Sequence, residues 1–190
     1  MNELSLFTGA GGGLLSSKLL GWKSVGYVEW EDYCQQVIAQ RIKDGHLDEA
    51  PIFSDIDTFI SDGYAESYKG MVDVISGGWP CQPHSVAGKR ESNEDDRDKW
   101  PAVRRCLEII RPKYFFGENV GGILSSGSVD VDHESVGHVP YINTIFRQLA
   151  EMGYDARWGV LGADDVGAMH KRARFWIVAN SKSNGGKRKS

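Results

Sequence analysis

Cys81 stands directly after a proline in Gly-Gly-Trp-Pro-Cys-Gln, Gly77 to Gln82. A thiol presented at such a point attacks electron-poor carbon as the thiolate, once a helix N-terminus or a cation lowers its pKa. Taken alone, a cysteine is more often a buried structural residue. Glu118 alters the weighing. It closes the apolar run Tyr-Phe-Phe-Gly-Glu that starts at Tyr114, and Asn119 follows it. Neighbouring ends of parallel strands point to one side, so Cys81 and Glu118 can share a pocket. A nucleophile beside a carboxyl group suits addition to an electron-poor ring, with the acid protonating a ring nitrogen as the thiol adds. Arg172 and Arg174 alternate at the entry of a further apolar run. In a strand, that alternation puts both on one face. There they hold a phosphate and a base carbonyl oxygen, or simply form an exposed charged strand entry.

A second constellation lies near the N-terminus. Gly9, Gly11, Gly12 and Gly13 follow the run Leu4 to Phe7. Glycines there let the backbone turn and approach a ligand closely. A dinucleotide fingerprint needs a further glycine at position 14, which is Leu14. Glu29 follows Gly9 by about 20 residues, where a carboxylate holds ribose hydroxyls. A glycine loop and this acid, without the third glycine, suit an adenosine-bearing cofactor that has no pyrophosphate. The plainer reading is a glycine-rich turn and a solvated glutamate.

Both constellations need a frame. Leu4 to Phe7, Val25 to Glu29, Val72 to Gly77, Tyr114 to Glu118 and Phe175 to Ala179 read as buried strands. Helical spacing fills Leu14–Leu20, Tyr33–Ile42, Ala102–Ile110 and Tyr141–Met152. The alternation predicts an α/β domain, a Rossmann-like, mostly parallel sheet with helices on both faces. Gly77 and Gly78 are expected to turn the chain at the strand end, and Pro80 to stiffen the approach to Cys81. Glu91–Asp98 and Ser125–His138 read as mobile loops, and residues 181–190 as a disordered basic tail after a domain spanning 1–180.

The totals set limits. The chain has 190 residues, enough for one domain with a real core. A net charge of −4 excludes a generally basic nucleic-acid binder, so any DNA contact relies on local patches. No run has the length of a membrane span, and no secretory signal is expected. Cys34, Cys81 and Cys106 form no Cys-x-x-Cys pair, so neither a disulfide framework nor a metal site is expected, and a reducing cytoplasm fits.

In this order, the elements resemble the DNA (cytosine-5)-methyltransferase family. Leu6–Gly13 is similar to its first motif, Val28–Tyr33 to the second and Ser54–Ile56 to the third. Gly77–Gly88 resembles the Pro-Cys-Gln motif, Gly117–Gly122 the Glu-Asn-Val motif and His170–Ala179 the Gln-x-Arg-x-Arg motif. The resemblance runs from Leu4 to about Ala179. It implies the class I S-adenosylmethionine-dependent methyltransferase fold and transfer of a methyl group to carbon 5 of a cytosine in double-stranded DNA, of the kind found in restriction-modification. Phe7 and the backbone of Gly9, Gly11 and Gly12 would line the S-adenosylmethionine site. Glu29 would hold the ribose, Trp30 pack on the adenine, Asp55 accept from the adenine amino group beside Ile56, and Trp100 make an apolar cofactor contact. Cys81 would add to carbon 6 of a cytosine flipped out of the duplex. Glu118 would serve ring nitrogen 3 and the exocyclic amine, Arg174 the ring carbonyl, and Arg172 the catalytic loop or a phosphate. Pro80, Gln82, Ser85 and Asn119 fall in the same motifs beside the substrate. Lys89 and Arg90 would be phosphate contacts in a loop closing over the base.

The pattern also breaks. Ser5 stands where the family often has Asp, and His170 where it has Gln. The recognition domain, the Asn-containing motif and the last helix of the family do not occur before Ser190. A split enzyme whose second polypeptide carries recognition, a truncated form, and a non-catalytic regulatory remnant each account for this. Survival of the catalytic residue types favours the first two. A Rossmann oxidoreductase is the distant alternative, disfavoured by Leu14 and by the pairing of Cys81 with Glu118.

Overall fold

The computed structural model describes residues 1–80, 98–124, 127–129 and 138–182. In chain order the strands are β1 (Asn2–Leu6), β2 (Lys23–Val28), β3 (Ile52–Phe53), β4 (Val74–Gly78), β5 (Tyr114–Val120), β6 (Gly127–Val129), β7 (His138–Pro140), β8 (Tyr154–Leu161) and β9 (Arg174–Ser181). The helices are α1 (Gly12–Leu19), α2 (Asp32–Lys43), α3 (Ile56–Ser61), α4 (Tyr64–Ser67), α5 (Trp100–Ile110) and α6 (Tyr141–Glu151).

Seven strands make one sheet in the order β3-β2-β1-β4-β5-β9-β8. The first five pair in parallel. β9 runs antiparallel between β5 and β8. The chain winds outward from β1 to β3, then returns to place β4 on the other side of β1. A crevice opens beyond the strand ends at such a reversal. The β1 and β4 ends meet there, with Leu6 opposite Gly77.

Packing follows from spacing. α5 buries Trp100, Val103, Cys106, Leu107 and Ile110, a three-and-four repeat that forms one apolar stripe. α6 does the same with Tyr141, Ile142, Ile145 and Leu149. These stripes meet the strand residues Leu4, Leu6, Ile75, Phe115, Phe175 and Ile177 in the main core. On the opposite face, Leu14 of α1 and Ile38 of α2 enclose Tyr27 in a smaller cluster. Farther along that face Phe116 stacks on Trp176, and Tyr114 and Val178 stay exposed.

All five expected strands and all four expected helices form. β8 does not announce itself in the sequence, because its exposed residues interrupt the apolar run. Three other expectations change. Gly127–Val129 and His138–Pro140 pair as a small antiparallel ribbon inside the stretch read as a loop. β9 runs Arg174–Ser181, longer at both ends than the expected Phe175–Ala179, while residues 183–190, and 91–97 of the acidic loop, lie outside the described set. Gly77 and Gly78 lie in β4 instead of forming a turn. A Cβ on Gly77 would meet the Leu6 carbonyl oxygen at 2.5 Å, so that position is glycine for close strand packing. Among the described residues no helix is long and apolar enough to cross a membrane.

Candidate active site

The loop after β1 is built on left-handed backbone. Phe7 has φ 51°, Gly9 58° and Gly11 87°. Only glycine takes this conformation without steric cost, so the half-buried Phe7 is strained in place by its surroundings. Gly11 caps α1, whose first N–H groups point out of the helix with partial positive charge.

Glu29 follows β2 directly and is 8% exposed. Its Oε2 accepts from the Gly9 N–H at 2.6 Å and its Oε1 from the Glu31 N–H at 2.9 Å. Each oxygen keeps a further lone-pair direction, enough for two vicinal hydroxyls. Trp30 is 73% exposed and lines an open cleft of about 340 Å³ with Glu31, Asp32 and Ser54. Asp55 caps α3, accepting from the Thr58 N–H at 2.9 Å and the Thr58 hydroxyl at 3.0 Å. Burial acts to raise its pKa. The bonds from Thr58, the Asp57 N–H and the charge of Lys99 outweigh that, and the carboxyl sits below its ordinary range. Glu29, Trp30 and the loop of Gly9 and Gly11 thus form one surface that fits an adenosine: hydroxyl acceptors, an aromatic face and backbone donors.

Two apolar candidates lie elsewhere. Trp100 is 2% exposed, packs against Trp79 and Phe115, and donates its indole N–H to Gln148 at 2.7 Å. Ile56 is likewise buried in the main core. The structure places both as core residues behind the site.

A second carboxylate stands on the far side of the β1–β4 crevice. Glu118 Oε1 pairs with Arg174 Nε at 2.8 Å, and both side chains are partly exposed. Glu118 faces Gly78 across β4 and β5, and a Cβ there would meet Glu118 Oε2 at 2.7 Å. Arg174 Nη1 donates to the Ala173 carbonyl at 3.0 Å, and the guanidinium has further N–H donors on Nη2. Arg172 departs from expectation. It precedes β9 with φ 36° and is exposed, so the strand alternation that would pair it with Arg174 does not hold.

Asn119 is buried and donates from Nδ2 to the Trp79 carbonyl at 3.0 Å, while its Oδ1 accepts from the Val120 N–H. It ties the end of β5 to the segment that ends at exposed Pro80. Sequence reasoning placed Asn119 beside substrate; this tie depends on β4–β5 register, which spacing alone does not supply. Cys81, Gln82, Ser85, Lys89 and Arg90 lie outside the described residues. Of the other two thiols, burial pushes Cys106 up to about 12, which keeps it protonated. Cys34 is raised by desolvation and by the carboxylates of Glu29 and Glu31.

Comparison with known proteins agrees with this geometry. The C-5 cytosine-specific DNA methylase family model matches residues 1–189. The Type II methyltransferase M.NgoMIV of Neisseria gonorrhoeae is 32% identical over 177 residues, covering 93% of this chain and 51% of that protein. M.FnuDI of Fusobacterium nucleatum is 32% identical over 184 residues, 94% of this chain and 46% of the relative. The chain therefore spans about half the length of these curated relatives. Among solved structures, the Dnmt2 methyltransferase of S. pombe superposes with a TM-score of 0.70 at 19% identity, over 98% of this chain and 53% of that one. The Entamoeba histolytica methyltransferase EhMeth gives 0.59 at 16%, over 98% and 55%. The sheet is that of the class I methyltransferases, and the chain belongs to the C-5 cytosine-specific DNA methylase family.

Proposed function

We propose that the chain is the catalytic half of a DNA (cytosine-5)-methyltransferase that uses S-adenosylmethionine. The observation that carries this reading is the pair of carboxylates, Glu29 and Glu118, on either side of one crevice in a chain of this family. When bound, the cofactor supplies an electrophilic methyl group. Glu29 binds its ribose hydroxyls, Trp30 offers a face to the adenine, and the Phe7–Gly12 loop closes round the rest. Asp55 is spoken for by Thr58 on one oxygen, and its other oxygen is the one that faces an amino group.

Cys81 adds to carbon 6 of the cytosine as thiolate, and the ring electrons move toward nitrogen 3. Glu118 holds the proton at nitrogen 3, which makes carbon 5 nucleophilic. Arg174 orients Glu118 through Nε and offers Nη2 to the ring carbonyl oxygen. Once carbon 5 has bonded to the methyl group, with the cofactor's sulfur as leaving group, loss of the carbon 5 proton expels the Cys81 thiolate and restores the ring. The base reaches this site only outside the duplex, at a cost of a few kcal/mol. With a net charge of −4 the chain has little general attraction for phosphates to offset that cost. In this reading the contacts that offset the cost come from a target-recognition part, carried on a second polypeptide.

The test is covalent trapping. Double-stranded DNA carrying 5-fluorocytosine, S-adenosylmethionine and the chain, together with a polypeptide that supplies target recognition, yields an adduct of chain plus DNA by mass. Cys81→Ser removes the adduct. An adduct that persists in Cys81→Ser overturns the assignment, and calorimetry showing binding of NAD but not S-adenosylhomocysteine overturns the cofactor.

A further inference from the structure

Glu3 is a charged residue in the middle of the sheet, 1% exposed. Burying a carboxylate is costly unless donors surround it. Among the described residues its donors are three serine hydroxyls from three different elements. Ser17 of α1 reaches Oε1 at 2.7 Å, Ser76 of β4 reaches Oε1 at 2.5 Å, and Ser24 of β2 lies 3.4 Å from Oε2. The flanking position in β1 leads within a few residues to the glycine loop.

α1 has few other buried contacts. Its buried residues are Leu14 and Ser17 alone. Leu15 and Leu19, four residues apart on one face, are exposed, Leu19 to 90%. No side chain caps its first turn. Buried Leu14 and the Ser17–Glu3 hydrogen bond therefore fix the helix against the sheet, and its first turn is the wall of the candidate cofactor site.

We propose that Glu3 is a positioning residue for the cofactor half: through Ser17 it holds α1, and with it the Gly9–Gly13 loop, in register with Glu29. This rests on the cofactor reading above. The same carboxylate holds Ser76, whose strand leads to the cysteine side of the crevice instead. The two serines thus form an internal control. Each loses one hydroxyl to the same acid, and a merely structural acid predicts that both losses act alike.

Ser17→Ala, Ser76→Ala, Glu3→Gln and Glu3→Leu are compared by melting temperature, by S-adenosylhomocysteine calorimetry and by amide hydrogen exchange at Gly9. Ser17→Ala is expected to weaken the ligand about tenfold, the weight of one hydrogen bond to a charged group. It also speeds exchange at Gly9, whose N–H bonds Glu29. Ser76→Ala is expected to lower the melting temperature while leaving affinity within about twofold and Gly9 exchange unchanged, below the effect of one such bond. Glu3→Gln, which still accepts from Ser17, retains most of the affinity that Glu3→Leu loses. Equal effects of the two serine variants on Gly9 exchange, or none from Ser17→Ala, overturn the proposal. Failure of wild type to bind the ligand counts against the cofactor reading, and Gly9 exchange still decides the role of Glu3.

Discussion

Glu29 and Glu118 are held in opposite ways. Glu29 is nearly buried, and both of its oxygens are met by backbone N–H groups that cannot rotate away. Glu118 is partly exposed and is met by a guanidinium on a long side chain, with space left by Gly78. The first arrangement is set before any ligand arrives and suits a group that only binds. The second can exchange partners and suits a group that must take up and release a proton during turnover.

The largest effect that would sharpen the contrast belongs to Glu118. Glu118→Gln, assayed with the completing polypeptide, is expected to lower turnover by about 10²–10⁴-fold, the span of general acid catalysis. Affinity for S-adenosylhomocysteine should not change, and a joint loss of both would erase the division of labour. Next is Glu29→Ala. Losing hydrogen bonds to two hydroxyls should weaken S-adenosylhomocysteine by about 10²–10³-fold in calorimetry. Full retention of affinity would break the comparison at its bound end.

Gly78→Ala gives a smaller, one-sided effect. The added methyl displaces Glu118 and should slow turnover about tenfold, as a displaced catalytic group does, while cofactor affinity stands. The smallest concerns Asp55. Asp55→Ala removes a helix cap and should cost about 1 kcal/mol of stability at neutral pH. The folded carboxyl has a pKa below its usual value, so its stabilisation is present above the unfolded value of about 3.9 and is lost as the pH falls through the folded value. The difference in melting temperature between wild type and Asp55→Ala should therefore narrow as the pH is lowered from about 6 to below about 4.

The parts of this site that strand ends dictate were readable from residue order. Gly9, Glu29 and Glu118 each close or follow an apolar run, and the sheet brings those ends together. What depended on side-chain direction was not. Trp100 and Ile56 are apolar, and an apolar residue beside a motif packs on a ligand or on the core with the same spacing; here the core took both. Arg172 and Arg174 alternate in sequence, but the strand begins only at Arg174, and a left-handed residue ahead of it cancels the alternation. The Glu3 network joins residues 14, 21 and 73 positions apart, and a lone acid in a short strand gives no sign of partners so distant.

The exposure of Trp30 has a spectroscopic consequence. The chain has six tryptophans. Trp79 and Trp100 are sealed in the core and emit to the blue, out of reach of dissolved quenchers, whereas Trp30 and Trp158 are more than half exposed. Replacing Trp158 with phenylalanine leaves Trp30 as the principal water-facing emitter. Iodide then dims chiefly the red edge of the emission, and a purine settling on that indole shields it. The cleft thereby carries its own optical reporter, and occupancy can be followed by fluorescence without a label.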